Sequence, residues 1–265
     1  MQRRSLLKFF TFLLTSLSFK VSSNNNNEKI SFNHGVASGD PTNTNVIIWT
    51  RITKVSNTSI KVNWEISNDI NFRKIIHSGT SKTSAHKDFT VKVDAKISKE
   101  YNGTPIFYRF ICNNYFSQIG STITLPFDNP GLFNIAFCSC ENYPAGFFNA
   151  DKEIANNKEI DLVLHLGDYI YEYDKNGYAS ENSNELDRVS IPSNELISLE
   201  DYRLRHAQYK TDKDLRLLHK NKPMIVVWDE HEFTNKTWKD GAENHSKDEG
   251  IVRNRKRKAR KADNE

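Results

Sequence analysis

Asp161-Leu-Val-Leu-His-Leu-Gly-Asp-Tyr-Ile-Tyr-Glu172 is a short apolar run that breaks off in a glycine, an acid and two phenols. A nearly unbroken aliphatic run of this length reads as a strand covered on both faces, which is the habit of parallel sheets. Upstream, Phe133-Asn-Ile-Ala-Phe137 reads as another strand, and residues 146–157 between the two read as a helix. Strand, helix, strand is the unit that places two parallel strands side by side with the helix packed on one face. Downstream, a single helix over residues 199–219 is expected to lead into Pro223-Met-Ile-Val-Val-Trp228, a third buried strand. The segment 176–195, rich in Ser, Asn and Glu, is expected to be an exposed insertion over this sheet.

Before residue 130 the pattern changes. Asn45-Val-Ile-Ile-Trp-Thr-Arg-Ile52, Ile60-Lys-Val-Asn-Trp-Glu-Ile66, Phe89-Thr-Val-Lys-Val-Asp94 and Ile106-Phe-Tyr-Arg-Phe-Ile-Cys112 alternate at period two and are separated by turn residues such as Ser38-Gly-Asp-Pro41 and Tyr101-Asn-Gly-Thr-Pro105. Short alternating strands without a helical period imply an antiparallel β-sandwich. The Pro-bearing stretch Leu125-Pro-Phe-Asp-Asn-Pro-Gly131 reads as the connector. The expected fold class is therefore α+β in two domains, an antiparallel β-sandwich over 28–128 followed by an α/β domain over 131–265.

A chain of 265 residues is long enough for two cores, and 37% hydrophobic against 26% charged residues excludes a disordered polymer. The net charge of +4, gathered mostly at the two ends, gives no basic stripe, so no nucleic-acid partner is expected. Residues 253–261 are basic but read as a solvated helix. Arg3-Arg4 just before the apolar run 9–19, followed by a polar stretch to residue 27, has the pattern of a twin-arginine export signal over 1–27. The run is too short for a stable membrane span. The expected partner is the twin-arginine machinery, and the expected location is periplasmic or extracellular. The three cysteines form no CxxC pair, and one thiol must stay unpaired, which invites a metal reading.

Ligands in open α/β sheets bind beyond the carboxyl ends of the strands. Polar clusters stand at three such ends: Cys138-Ser-Cys140-Glu141, Gly167-Asp-Tyr-Ile-Tyr-Glu172 and Asp229-Glu-His-Glu232. They gather a thiol, carboxylates, a phenol and an imidazole, a mixture suited to a metal. Hydrolysis of a phosphate ester needs such a site, because hydroxide must be generated near neutral pH and delivered to an anionic phosphorus centre. Asp168 is the candidate bridging carboxylate, and His231 is the candidate proton donor or phosphate-orienting group. A cysteine-nucleophile phosphatase is disfavoured, since no arginine follows Cys138 or Cys140 within a phosphate-cradling loop.

Asn33-His-Gly-Val-Ala-Ser-Gly-Asp-Pro41, Val46-Ile-Ile-Trp-Thr-Arg51, Cys138-Ser-Cys-Glu141, Leu164-His-Leu-Gly-Asp-Tyr-Ile-Tyr-Glu172 and Val227-Trp-Asp-Glu-His-Glu-Phe-Thr-Asn235, in this order, resemble the PhoD alkaline phosphatase family. The resemblance implies an N-terminal β-sandwich and a calcineurin-like metallophosphoesterase domain that hydrolyses phosphomonoesters and phosphodiesters outside the cytoplasm. It implies Fe(III) held by Cys140, Asp168 and Tyr171, with Asp168 bridging to Ca(2+), a calcium ligand from Asp229 or Glu230, and His231 facing the phosphate. Soft and phenolate donors on trivalent iron, and carboxylates on calcium, agree with the preferences of these ions. The family usually has Asp-Asp-His where this chain has Asp229-Glu230-His231, and the longer Glu implies a looser calcium site. Family members also continue past the position matching Glu265, so the chain is expected to hold only the N-terminal part of the phosphoesterase domain. The alternative expectation is an exported unit that binds metal or phosphate without turnover.

Overall fold

The computed structural model describes residues 29–54, 56–128 and 131–265; the export signal expected over 1–27 lies outside them. The first strands are β1 (Val36–Gly39), β2 (Asn45–Arg51), β3 (Ile60–Ser67), β4 (Ile75–Thr83), β5 (Thr90–Lys96), β6 (Ile106–Cys112), β7 (Tyr115–Phe116) and β8 (Gly120–Thr122). In β3, Ile60, Val62, Trp64 and Ile66 turn inward while Lys61 and Asn63 face solvent; in β6, Ile106, Tyr108, Phe110 and Cys112 do the same. Alternation of this kind is what a sheet with one wet face requires. These side chains meet Val46, Ile48, Val91 and Ala95 in one apolar core. β4 was not legible as a strand because its inward positions are largely polar and half-exposed. β1 takes up Ser38 and Gly39, expected to form a turn.

The second region supplies β9 (Ile135–Cys138), α1 (Asn149–Asn156), β10 (Leu162–His165), α2 (Leu199–Tyr209), α3 (Lys213–Asn221), β11 (Pro223–Val226) and α4 (Val252–Asn264). Both β9 and β11 pair in parallel with β10, as the strand–helix–strand reading requires. The helix expected over 199–219 is two helices. Ser198 caps α2 through a reciprocal capping box with Asp201, and the Asp212 side chain accepts from the backbone of Asp214 and Leu215 to start α3 anew. Arg188 holds Asp212 at 2.7 Å, so the break is fixed by tertiary structure.

The two regions are joined more closely than a connector would do it. The 5-stranded sheet holds β4, β3, β6 and β7, with β8 on β6, whereas the 6-stranded sheet runs β5-β2-β1-β11-β10-β9. β1 pairs with β11 in parallel, Ser38 opposite Pro223 and Gly39 opposite Met224. Any Cβ on Gly39 would lie 2.4 Å from the Met224 carbonyl oxygen, so glycine is required for this seam to close. The result is a mixed α/β fold of two sheets and four α-helices among the described residues.

The segment 176–195 is largely exposed, as its composition implied, but it is anchored at three points. Ser183, Arg188 and Ser190 are buried, and Arg188 lies between Asp212 and the ring of Tyr143. The basic C-terminal run does form a helix, but Arg255 on it is buried, donating to Tyr202, Glu195 and Glu249. No helix among the described residues is long and apolar enough to cross a membrane.

Candidate metal centre

Three loops converge beyond the carboxyl ends of β9, β10 and β11. After β9 the chain turns at Cys140, and after β10 at Gly167-Asp168; Cys140 and Asp168 both take left-handed backbone angles, φ 60 and φ 56. Non-glycine residues occupy that region at a cost, and they do so where the surroundings hold them there. The Cys140 backbone N–H donates to the Gly167 carbonyl at 3.2 Å, and its sulfur lies 3.5 Å from Asp168 Oδ2. Gly167 has φ 106, and a Cβ there would fall 2.6 Å from the Cβ of Asp229. Glycine at this position therefore lets the loop after β11 approach the loop after β10.

Glu232 ties the same loops together from beneath. Its buried carboxylate accepts from the Tyr169 N–H at 2.6 Å and from the Asp229 N–H at 2.9 Å. Arg205 of α2 reaches up to donate to the carbonyl oxygens of Tyr171 and Tyr173, which fixes the backbone that carries the Tyr171 phenol. Tyr171 is buried, stacked on the His231 ring at 4.4 Å. Burial, reinforced by the charges of Asp168 and Cys140, pushes its hydroxyl far above the usual phenol range. The His231 backbone N–H donates to Asp168 Oδ1 at 3.2 Å, and its Nδ1 lies 2.8 Å from Glu172 Oε2. Burial opposes a charged His231 ring, but the Glu172 hydrogen bond and the acids around it leave the ring easier to protonate than usual. Glu172 is itself fully buried and accepts from the Asn235 N–H at 2.6 Å.

Of the residues singled out in the sequence, Cys140, Asp168, Tyr171 and His231 thus come together, and Asp229 backs directly onto Gly167. Asp229 is exposed and Glu230 partly so; the Glu230 carbonyl oxygen accepts from Phe233 and Thr234 N–H groups, forming the turn after β11. Glu172, Glu232 and Arg205 were given no individual role in the sequence because their roles depend on partners 34 to 63 positions away. A thiol, a carboxylate and a phenol brought together in this way form a donor set that could hold a metal ion.

A second group of potential ligands lies lower, against the helices: Cys138, Glu141 and His165 present donor atoms within 4.8 Å of one another. The sequence showed Cys138 and Glu141 beside Cys140, but nothing in it revealed that His165 would turn toward them.

Residues 135–265 match the PhoD-like phosphatase family and residues 18–126 match its N-terminal domain. Over 230 residues the chain is 38% identical to alkaline phosphatase D of Bacillus subtilis (strain 168), a match covering 82% of this chain and 38% of that protein. A solved structure of PhoD superposes with a TM-score of 0.78 at 36% identity, covering 88% of this chain and 45% of the other. The chain thus spans less than half the length of these relatives. With both family domains matched in order and the strand-end loops brought together as described, this chain belongs to the PhoD-like phosphatase family.

Proposed function

We propose that the chain carries the metal-binding site of an exported phosphoesterase that hydrolyses phosphomonoesters or phosphodiesters. The observation that carries this reading is the convergence of Cys140, Asp168 and Tyr171, from two separate loops, with the His231 ring stacked on the phenol. In this reading Cys140, Asp168 and Tyr171 hold Fe(III), while Asp168 with Asp229 or Glu230 faces Ca(2+). The ions would supply Lewis acidity and a hydroxide near neutral pH. Family membership and the donor chemistry support these assignments. The unit boundaries at 28–128 and 131–265, and export by a twin-arginine signal to the periplasm or beyond, belong to the same proposal and rest on the sequence pattern.

The chain's own residues divide the remaining work. Glu172 aims the His231 ring through Nδ1, leaving Nε2 as the nitrogen that would give a proton to the leaving oxygen. Arg205 and Glu232 keep the Tyr171 and Asp229 loops from drifting, since misplacement of ligands by even 1 Å loosens such a site. The second reading, capture of metal or phosphate without turnover, is favoured by the open side of the sheet, where Phe137, Leu166 and Val227 are exposed.

Hydrolysis of bis(p-nitrophenyl) phosphate, measured alongside iron and calcium content, tests both readings. The expected result is a coloured, iron-containing protein with turnover that falls about 1000-fold in Asp168→Asn, the scale of several kcal/mol of metal-derived stabilisation. Iron without turnover would leave the capture reading; neither iron nor turnover would sink both.

A further inference from the structure

His165 closes β10 with its side chain on the helix-covered face of the sheet, its ring 5.1 Å from that of Tyr169. The ring is 1% exposed, yet neither Nδ1 nor Nε2 has a hydrogen-bond partner. Asp151 of α1 is 0% exposed, and neither of its carboxylate oxygens has one either. Buried polar atoms left in this state cost about 1–3 kcal/mol each, and the side chain set beside Asp151 to share a proton with it is another acid, Glu141. Between Asp151 and His165 stand Cys138, opposite His165 in the β9–β10 ladder, and Glu141. The His165 Nε2 to Glu141 Oε2 distance is 3.6 Å. That is too long for a hydrogen bond, but it is about the edge of a tetrahedron with bonds of about 2.1 Å.

We propose that Cys138, Glu141 and His165, with Asp151 beside them, form a partly buried site for one tetrahedral divalent ion of the zinc class, separate from the Cys140–Asp168–Tyr171 group. Sulfur, imidazole nitrogen and carboxylate oxygen are zinc's usual ligands. Burial first, and then the neighbouring acids Glu141, Asp212 and Asp214, push the Asp151 carboxyl up to about 8, and burial with Glu141 and Asp151 pushes the Cys138 thiol up to about 12. The ion would clamp the β9 end, the β10 end and α1 beneath the loops that carry Cys140 and Asp168. Its role is to brace these loops, since its ligands come from the β9 end, the β10 end and the loop between β9 and α1.

The test uses the full chain, stripped with a chelator and titrated with zinc against a chromophoric competitor, then with Co(II). Zinc should bind stoichiometrically, with affinity lowered at least about 100-fold in Cys138→Ser and about 10- to 100-fold in Asp151→Asn. Co(II) should give tetrahedral d–d bands and a thiolate-to-cobalt charge-transfer band that survives in Cys140→Ser and disappears in Cys138→Ser. Circular dichroism identifies any variant that has lost its fold, and the unaltered protein and Cys140→Ser then decide the matter by themselves. Absence of zinc binding in the unaltered protein, or a cobalt band lost in Cys140→Ser and kept in Cys138→Ser, overturns the site. Because iron colour reports on Cys140 and the cobalt band on Cys138, failure of one assignment is distinguishable from failure of the other.

Discussion

The two regions of this molecule bury polar groups by opposite rules. In the strands before residue 125 the buried polar side chains are all hydroxyls: Ser38, Thr50, Ser67, Thr83, Thr90, Ser117, Thr122 and Thr124. From residue 142 onward the chain buries Asp151, Asp168, Glu172, Arg188, Arg205, Asp212, Asp214, Glu232 and Arg255. A hydroxyl can turn to a nearby carbonyl and so costs little, whereas a buried charge must be met by a partner of fixed geometry. The first region is therefore held by apolar packing and tolerates imprecision at any one contact. The second uses Arg188–Asp212, Arg205–Tyr171 and Arg255–Glu195 as struts that set where the strand-end loops lie. Precision is spent where the ligands are.

Breaking one strut and one packing contact of similar size sharpens this contrast most. Arg188→Met leaves Asp212 buried without its partner and is expected to cost about 3–5 kcal/mol, whereas the double variant Arg188→Met with Asp212→Leu should recover a large part of that in chemical denaturation. Phe110→Ala should also cost about 3–5 kcal/mol, with no second-site change able to restore it, because the loss is a cavity. Equal behaviour of the two in a double-mutant comparison would remove the distinction between the regions.

A smaller effect is expected at the seam. Gly39→Val pushes a side chain against the Met224 carbonyl and should cost about 1–3 kcal/mol, the scale of overpacking. Amide hydrogen exchange should then rise in β1 and β11 together; a rise confined to β1 would show that the seam contributes little to the shared sheet.

The smallest effect is a slope with pH. Lys210 lies across the seam, its ammonium 5.0 Å from the Trp49 ring and 3.0 Å from the Tyr169 hydroxyl, and burial lowers its pKa to about 8. A lysine lowered in the folded state loses its proton before the unfolded chain does, so the unfolded chain binds more protons between the folded value near 8 and the usual value of 10.5. Stability contributed by this group should therefore rise as pH increases through that window, by at most about 1.4 kcal/mol per pH unit. Lys210→Met should flatten the rise, as read by unfolding midpoints at several pH values.

Most strands were legible because alternation states which face is buried: Ile60 to Ile66 and Ile106 to Cys112 could be placed from their pattern alone. The candidate ligands Cys140, Asp168 and Tyr171 and the candidate proton donor His231 were legible because they follow strands, where sites gather. The break between α2 and α3 was not, since residues 199–219 carry no proline or glycine; only the grip of Arg188 on Asp212 makes the cap decisive. The anchoring of the 176–195 segment through buried Ser183, Arg188 and Ser190 was likewise hidden behind a polar composition. His165 looked like one more residue of a buried strand, and its company became visible only with Cys138 placed opposite it.

The amino-acid order alone determined which segments could become strands or helices, where the chain would turn, and which chemical groups stood at the strand ends, because period and turn chemistry are local properties. Tertiary structure decided that β1 joins β11 in one sheet, that Glu232 and Arg205 lock the ligand loops, and that Cys138, Glu141, Asp151 and His165 share one partly buried space. Those outcomes depend on distances between residues far apart along the chain, and such distances are fixed only when the sheets and helices pack.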